Sequence, residues 1–235
     1  MNNTKEEKIT LITKNNSLNV NTTKYKTQIL GFDTKDFPII PKIKNENPII
    51  IPGKIFKNTI SSVLESVAIS ESRPELSGIF VQFLQNKLIL ASTDSFRLTE
   101  KIIEIKNKDN ISFILPRNTA LELIRILGED NEDLIIKHND NQISFTAGDI
   151  ELVSRLIDGN YPDYKKVIPD KYISRVLINK NDLEKNVRLA GLFSSSISDI
   201  KINCEDKNTV ITAKNSDRGD IQVNIESLLK NEPFE

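Results

Sequence analysis

The chain repeats itself. Residues 9–38, ITLITKNNSLNVNTTKYKTQILGFDTKDFP, and residues 133–162, DLIIKHNDNQISFTAGDIELVSRLIDGNYP, follow one plan: a short apolar strand, an Asn-rich turn, an alternating strand, a second turn and a third strand. The copies close on Asp36-Phe37-Pro38 and Asn160-Tyr161-Pro162, with the prolines 124 residues apart (38 to 162). A second pair recurs at a similar distance. IIIPGKIFKNTISSVLESV at 49–67 matches VLINKNDLEKNVRLAGLF at 176–193, each a β-run followed by a helix of 3–4 apolar period. After each comes a strand pair, GIFVQFLQNKLILAS at 78–92 and DIKINCEDKNTVITA at 199–213. A fixed long period constrains the fold strongly, because every copy must be the same supersecondary unit. The chain is therefore expected to hold the C-terminal half of one unit over 1–48, a complete unit over 49–170 and the N-terminal half of a third over 171–235, and to be part of something longer.

The complete unit divides again. IIPGKIFKNTISSVL at 50–64 resembles ILPRNTALELIRIL at 114–127, with Pro52 and Pro116 64 residues apart (52 to 116). Each half reads strand, helix, then three strands, which predicts an α+β fold of repeated β-α-β-β-β half-units. Proline suits the strand-to-helix junction, since its fixed φ and missing N–H cost nothing where a helix begins. Gln85-Asn86 and Asn139-Asp140-Asn141 are expected hairpin turns.

The three predicted helices, 53–67, 116–127 and 180–193, carry apolar stripes. The first uses Ile55, Phe56, Ile60, Val63, Leu64 and Val67; the second Ala120, Leu121, Ile124 and Leu127; the third Leu183, Val187 and Leu192. The opposite faces show Lys54 and Lys57, Arg117 and Arg125, and Lys185 and Arg188. Charge alone makes these ordinary solvated faces. The chain as a whole is near neutral, with Lys+Arg 32 against Asp+Glu 33, which argues against a basic nucleic-acid coat over its entire surface.

Several chemistries are excluded. One histidine and one cysteine cannot build a His/Cys zinc cluster, and any catalytic triad would need His138. A lone cysteine forms no intrachain disulfide, which fits a reducing, cytoplasmic setting. No apolar run reaches the ~18 residues of a membrane span, and MNNTKEE lacks the apolar core of a signal peptide. Neither a G-x-G-x-x-G nor a G-x-x-x-x-G-K-[ST] loop occurs.

STDSFRL at 92–98, ILPRNTALELIRIL at 114–127 and LIDGNYPDYKKVIP at 156–169, in this order and spacing, resemble the bacterial sliding clamps, the β subunits of DNA polymerase III. The resemblance covers essentially the whole chain. It implies a ring of two three-domain subunits with helices lining the hole and antiparallel sheets outside. It further implies a non-catalytic processivity factor without a cofactor or metal, although such subunits are filed under the polymerase's nucleotidyltransferase activity. The implied partners are duplex DNA without sequence preference, replicative and repair DNA polymerases, the clamp loader and a second copy in a homodimer. The competing readings are an enzyme, which no carboxylate cluster supports, and a clamp-derived peptide-binding module that does not load on DNA.

The resemblance also assigns residues. A groove for extended partner peptides takes Leu76, Thr93, Ser95, Phe96, Arg97, Leu98, Pro162, Lys166, Val167 and Ile197, with Ser95-Phe96 standing where many members carry Gly-His. From the residues alone, Thr-Asp-Ser is a turn whose side chains bond backbone. Arg73 is implied as a phosphate contact beside Lys54, Lys57, Arg117, Arg125, Lys185 and Arg188; contacts of this kind position without reading sequence. A dimer seam sets Thr27 and Ile29 against Leu192 and Phe193, continuing a sheet across the boundary and removing two bare edges. Of the remaining residues, His138 is expected in a turn, GEDNED at 128–133 as a solvated connector and Cys204 in the core.

Overall fold

The computed structural model describes residues 8–37, 42–43, 47–69, 72–106, 110–129, 132–196 and 198–234. Alternation in the first of these segments produces a meander. β1 (Thr10–Lys14), β2 (Ser17–Asn21) and β3 (Lys26–Leu30) pair antiparallel in that order, with Leu11 opposite Val20 and Leu18 opposite Ile29. Asn15 and Asn16 both take positive φ at the first turn, a conformation asparagine tolerates and a two-residue hairpin needs. Ser17 is the sole buried residue among those described in 8–37. Pro38, one end of the repeat, lies outside the described residues.

The next stretch shows the half-unit twice. The first copy is β4 (Ile49–Pro52), α1 (Gly53–Leu64), β5 (Gly78–Leu84), β6 (Lys87–Thr93) and β7 (Leu98–Glu104). The second is β8 (Ile111–Pro116), α2 (Arg117–Ile126), β9 (Asp133–His138), β10 (Gln142–Ala147) and β11 (Ile150–Arg155). Each half gives its first strand to the other's sheet: the orders are β7-β6-β5-β8 and β11-β10-β9-β4, all antiparallel. Ile49 and Ile51 of β4 face Ile136 and Leu134 of β9 and are buried with them. One continuous core joins the halves. Phe56, Ile60 and Val63 of α1 and Ala120 and Leu123 of α2 pack with Phe83, Leu88, Phe113, Leu115 and Phe145 of the strands. At a close approach of β5 and β8, a Cβ on Gly78 would lie 2.6 Å from the Leu115 carbonyl oxygen, so no side chain fits there.

Pro52 and Pro116 occupy the N-cap positions, as the junction argument requires, with no side-chain cap bond. Two sequence expectations are corrected. Ile55 is 45% exposed and Leu121 is also exposed, because each falls at the edge of its helix stripe rather than over the sheets. His138 is the last residue of β9, paired with Ile143, because the turn is made by Asn139, whose Oδ1 accepts from the Asn141 and Gln142 N–H groups. The described residues of the 128–133 connector are exposed, as expected of a solvated connector, with Glu129 in ion pairs with Lys54 and Lys57, while Asp130 and Asn131 lie outside the described residues.

The chain divides into two compact units, Met1–Pro162 and Asp163–Glu235. The second holds a 3-10 turn at Tyr164–Val167, then β12 (Ser174–Ile178), α3 (Lys180–Gly191), β13 (Lys201–Glu205), β14 (Asn208–Asn215) and β15 (Gly219–Asn231). Its sheet order is β12-β15-β14-β13. Asn179 caps α3 by accepting from the Asn181 and Asp182 N–H groups, as asparagine at this position commonly does. The core is small: Ala190, Ile211, Ala213 and Ile225, with Ile178, Leu183, Val187, Phe193 and Ile202 partly covered around them. Cys204 is fully buried, as expected.

Candidate partner-binding turn and cationic helix faces

The β6–β7 connection closes on its own polar groups. Thr93 pairs with Leu98 across the sheet. The Asp94 carboxylate accepts the backbone N–H groups of Phe96 and Arg97, both at 3.0 Å, and the Arg97 Nε–H at 3.1 Å. Thr93 Oγ1 donates to the Arg97 carbonyl at 2.7 Å and accepts from the Ser95 N–H at 3.1 Å. These bonds hold Ser95 at φ +76°, a conformation costly for a residue with a side chain. The two backbone N–H groups, with the Arg97 guanidinium after them, hold the Asp94 carboxyl below its ordinary value. This locked turn presents Phe96 with its surface 98% exposed, beside the exposed Ser95 and Arg97.

Behind the turn, Tyr161 stacks on Phe80, centroids 5.2 Å apart at 25°. Its hydroxyl lies by the Thr93 backbone, and burial pushes the phenol up to about 12. Pro162 and Leu98 are half-buried. Leu76, in a 3-10 turn at Pro74–Leu76, is buried at 2% exposure rather than presented at the surface. In the second unit Val167 is exposed and Lys166 Nζ pairs with Asp163 at 3.0 Å. Ile197 lies outside the described residues. Sequence reasoning left out Asp94 and Tyr161; a Thr-Asp-Ser run directly before an aromatic, Thr93-Asp94-Ser95-Phe96, was the available signal for the first.

Most candidate phosphate contacts have acidic neighbours. Glu129 binds Lys57 at 2.8 Å and Lys54 at 3.7 Å, and the Lys57 hydrogen bond and charge hold its carboxyl below the ordinary value. Arg73 pairs with Glu75 at 3.1 Å, Arg125 with Glu122 at 2.8 Å and Arg188 with Glu184 at 2.8 Å. Arg117 is half-buried, its backbone N–H donating to the Ser77 carbonyl at 3.2 Å. Lys185 is exposed. Pairs this open to water contribute little to stability and are readily exchanged for another anion. Glu129, 72 residues from Lys57 in sequence, had no local sequence signal.

The seam candidates divide likewise. Thr27 and Ile29 on β3 are exposed, Leu192 is 61% exposed and Phe193 is half-buried against the small core. Among the described residues, no group of three or more His, Cys, Asp or Glu side chains could hold a metal, and no helix is long and apolar enough to cross a membrane.

The family model described as DNA polymerase III beta subunit, central domain, matches residues 44–163. A beta sliding clamp of Staphylococcus epidermidis is 31% identical over 192 residues, covering 81% of this chain and 49% of the relative. One from Staphylococcus aureus is 29% identical over the same length. The chain thus spans about half the length of the curated relatives it matches. Among solved structures, a putative DNA polymerase III beta subunit from Eubacterium rectale superposes with a TM-score of 0.86 at 26% identity, over 96% of this chain and 62% of that one. A DNA polymerase sliding clamp from Bacillus subtilis gives 0.86 at 24% identity over 96% and 61%, a likeness of fold.

Proposed function

The chain belongs to the DNA polymerase III beta-subunit family, the bacterial sliding clamps, and from this membership we propose that it forms part of a DNA replication processivity factor. On this reading, residues 1–48, 49–170 and 171–235 are the end of one clamp domain, a whole second domain and the start of a third. The ring is a homodimer that works in the cytoplasm without catalysing a reaction. It encircles duplex DNA after a clamp loader opens it and tethers replicative or repair polymerases.

The observation that carries the reading is the pairing of α1 and α2 over two strand-exchanged sheets, with Lys54, Lys57, Arg117 and Arg125 on the helices. Their acidic neighbours suit the task. A protein with six to ten firm phosphate contacts loses roughly 10³–10⁵ in affinity between 50 and 200 mM salt. Cations already shared with Glu129 or Glu122 touch phosphate weakly, so topology rather than affinity holds the DNA. Thr27 and Ile29 on β3, with Leu192 and Phe193 after α3, supply the seam.

The polymerase tether is the locked turn. Phe96 and Arg97, backed by Leu98 and Pro162, offer an apolar anchor and a cation to an extended peptide, the kind of contact in which a few anchors dominate.

Two measurements test the reading. Protein containing this chain should stay on nicked circular plasmid after loading and leave once the plasmid is linearised; Lys57→Glu with Arg117→Glu should reduce retention equally on all sequences. Retention that ignores linearisation would overturn the ring. A labelled polymerase-tail peptide should lose about thirtyfold in affinity, or ~2 kcal/mol, on Phe96→Ala or Leu98→Ala. Peptide binding without DNA retention would identify a clamp-derived peptide-binding module instead.

A further inference from the structure

Lys54 and Lys57 share an anion that the repeat does not supply. On the 64-residue offset of Pro52 and Pro116, Asn118 and Leu121 stand where the two lysines do. Arg125 and Arg188 each take a carboxylate from their own helix, three or four residues away. Glu129 instead reaches α1 from the connector that follows α2, 72 residues from Lys57 in sequence.

That connector is fixed where it meets α1. The Gly53 N–H donates to the Glu132 carbonyl at 2.8 Å. A Cβ on Gly53 would lie 3.0 Å from that oxygen and 3.2 Å from Leu127 Cδ2, a close approach that a side chain would push apart. Residues on both sides of Glu129 therefore touch the first residue of α1, and Lys54 and Lys57 follow within the next turn. Lys57 Nζ meets Glu129 Oε1 at 2.8 Å, and Lys54 Nζ meets Oε2 at 3.7 Å. One ammonium serves each oxygen of a single anionic centre, an arrangement that a phosphodiester also satisfies.

The two sides of the contact differ in exposure. Among the described ion pairs Lys57 is the least exposed cation, its side chain at 19%, while Glu129 stands at 72%. An ammonium drawn partly out of water needs an anion beside it. A carboxylate this open can leave at little cost. The cations are held and the anion is exchangeable.

We propose that Glu129 is a resident counter-anion, which a backbone phosphate of duplex DNA displaces from Lys54 and Lys57. This rests on the DNA contact proposed for the helix faces and adds the residue that weakens it. A phosphate arriving there exchanges one anion for another, so the gain is only the difference between them. The displaced carboxylate then stands beside the duplex as a like charge, which lowers that difference further.

The test uses the 235-residue chain and a labelled short linear duplex, so that contact is read without encirclement. Glu129→Gln should tighten binding about fivefold at low salt. It should also steepen the fall of log affinity with log salt by about one to two, since each freed cation adds close to one. Acetylation of the two lysine amines, read by mass spectrometry, should be blocked at a lower duplex concentration than in the parent. In a Lys54→Gln, Lys57→Gln background the same substitution should change nothing, the coupling expected of groups in one contact. Glu151→Gln, an equal loss of charge at an exposed position on β11, should leave affinity and slope at the parent values. If Glu129→Gln binds like the parent while Lys57→Glu with Arg117→Glu still weakens binding, the counter-anion role is overturned and the helix faces keep theirs. Tightening that survives without the lysines, or that Glu151→Gln reproduces, also overturns the role. Duplex binding by none of these proteins would overturn the reading of the helix faces, and this proposal with it.

Discussion

The stretch from β4 to β11 and the unit from β12 onward begin alike and end differently. Both open with a strand, a helix and an antiparallel hairpin, and both turn the same face of the first strand inward. In the former, two helices pack over two sheets that have traded first strands, burying Phe56, Phe83 and Phe145 completely or nearly so. In the latter, one helix covers one sheet over a small core of Ala190, Ile211, Ala213 and Ile225. Repetition of a sequence pattern thus specifies local structure twice but a full core only where both halves meet. Burial depends on the partner as much as on the pattern.

The largest expected effect tests that contrast directly. Phe56→Ala removes a ring 6.0 Å from that of Phe145 and should cost ~3–5 kcal/mol in the shared core. Hydrogen exchange should show both half-units of this region opening together while β13–β15 keep their protection. Opening confined to the first half would break the comparison, since it would mean that the halves are separable.

Association comes next. Leu30, Phe32, Leu177 and Leu192 are exposed outside the β4–β11 region, and apolar surface of this kind promotes self-association. The 235-residue chain should elute as mixed oligomers, whereas a 49–170 piece should be monomeric and unfold in one transition. Leu192→Ser with Phe32→Ser should reduce light scattering by the long chain.

The third effect is alkaline. Burial raises the Tyr161 phenol to about 12, so its proton is held more tightly in the folded state. The associated stability is present below the unfolded value of about 10 and is lost as pH rises through 12. Phenolate absorbance should show a late component that Tyr161→Phe removes, and the unfolding of that variant should depend less on pH over that window.

The smallest effect is acidic and local. Asp94 is depressed by the Arg97 and Phe96 N–H groups, so its contribution is present above the unfolded carboxylate value and lost as pH falls through the lower folded one. The Phe96 and Arg97 amide resonances should titrate below the ordinary aspartate range, and Asp94→Asn should flatten that titration. Global stability should barely change.

Local order was legible wherever neighbours in sequence are neighbours in space. The half-units, the helix starts at Pro52 and Pro116, the three-strand runs and the polar turn before Leu98 follow from spacing and turn chemistry alone. What escaped was nonlocal. No residue between 49 and 52 announces that β4 pairs with β9 rather than with its own half. Nothing near Lys57 points to Glu129, and periodicity put Ile55 and Leu121 inward because a stripe has edges that spacing does not resolve. Leu76 was visible as an apolar residue in a loop, but its burial depends on packing that the string does not encode. For the peptide turn, residue type indicated the bend; only the folded chain shows that Asp94 locks it and leaves Phe96 in water.

The traded first strands also set a schedule for synthesis. Ile49 pairs with Ile136, 87 residues further on (49 to 136). At about 5–20 residues per second, a ribosome takes roughly 4–17 seconds to make that partner available. During that interval β4 has left the ribosome with its ladder groups bare, and the α1 stripe has no second half to close over it. β5, β6 and β7 can form their hairpins at once, since those pairings are local. The nascent chain therefore passes through a stage in which a three-stranded sheet is complete while an apolar isoleucine strand waits beside it, the stage at which codon speed or a holding chaperone has most influence on yield.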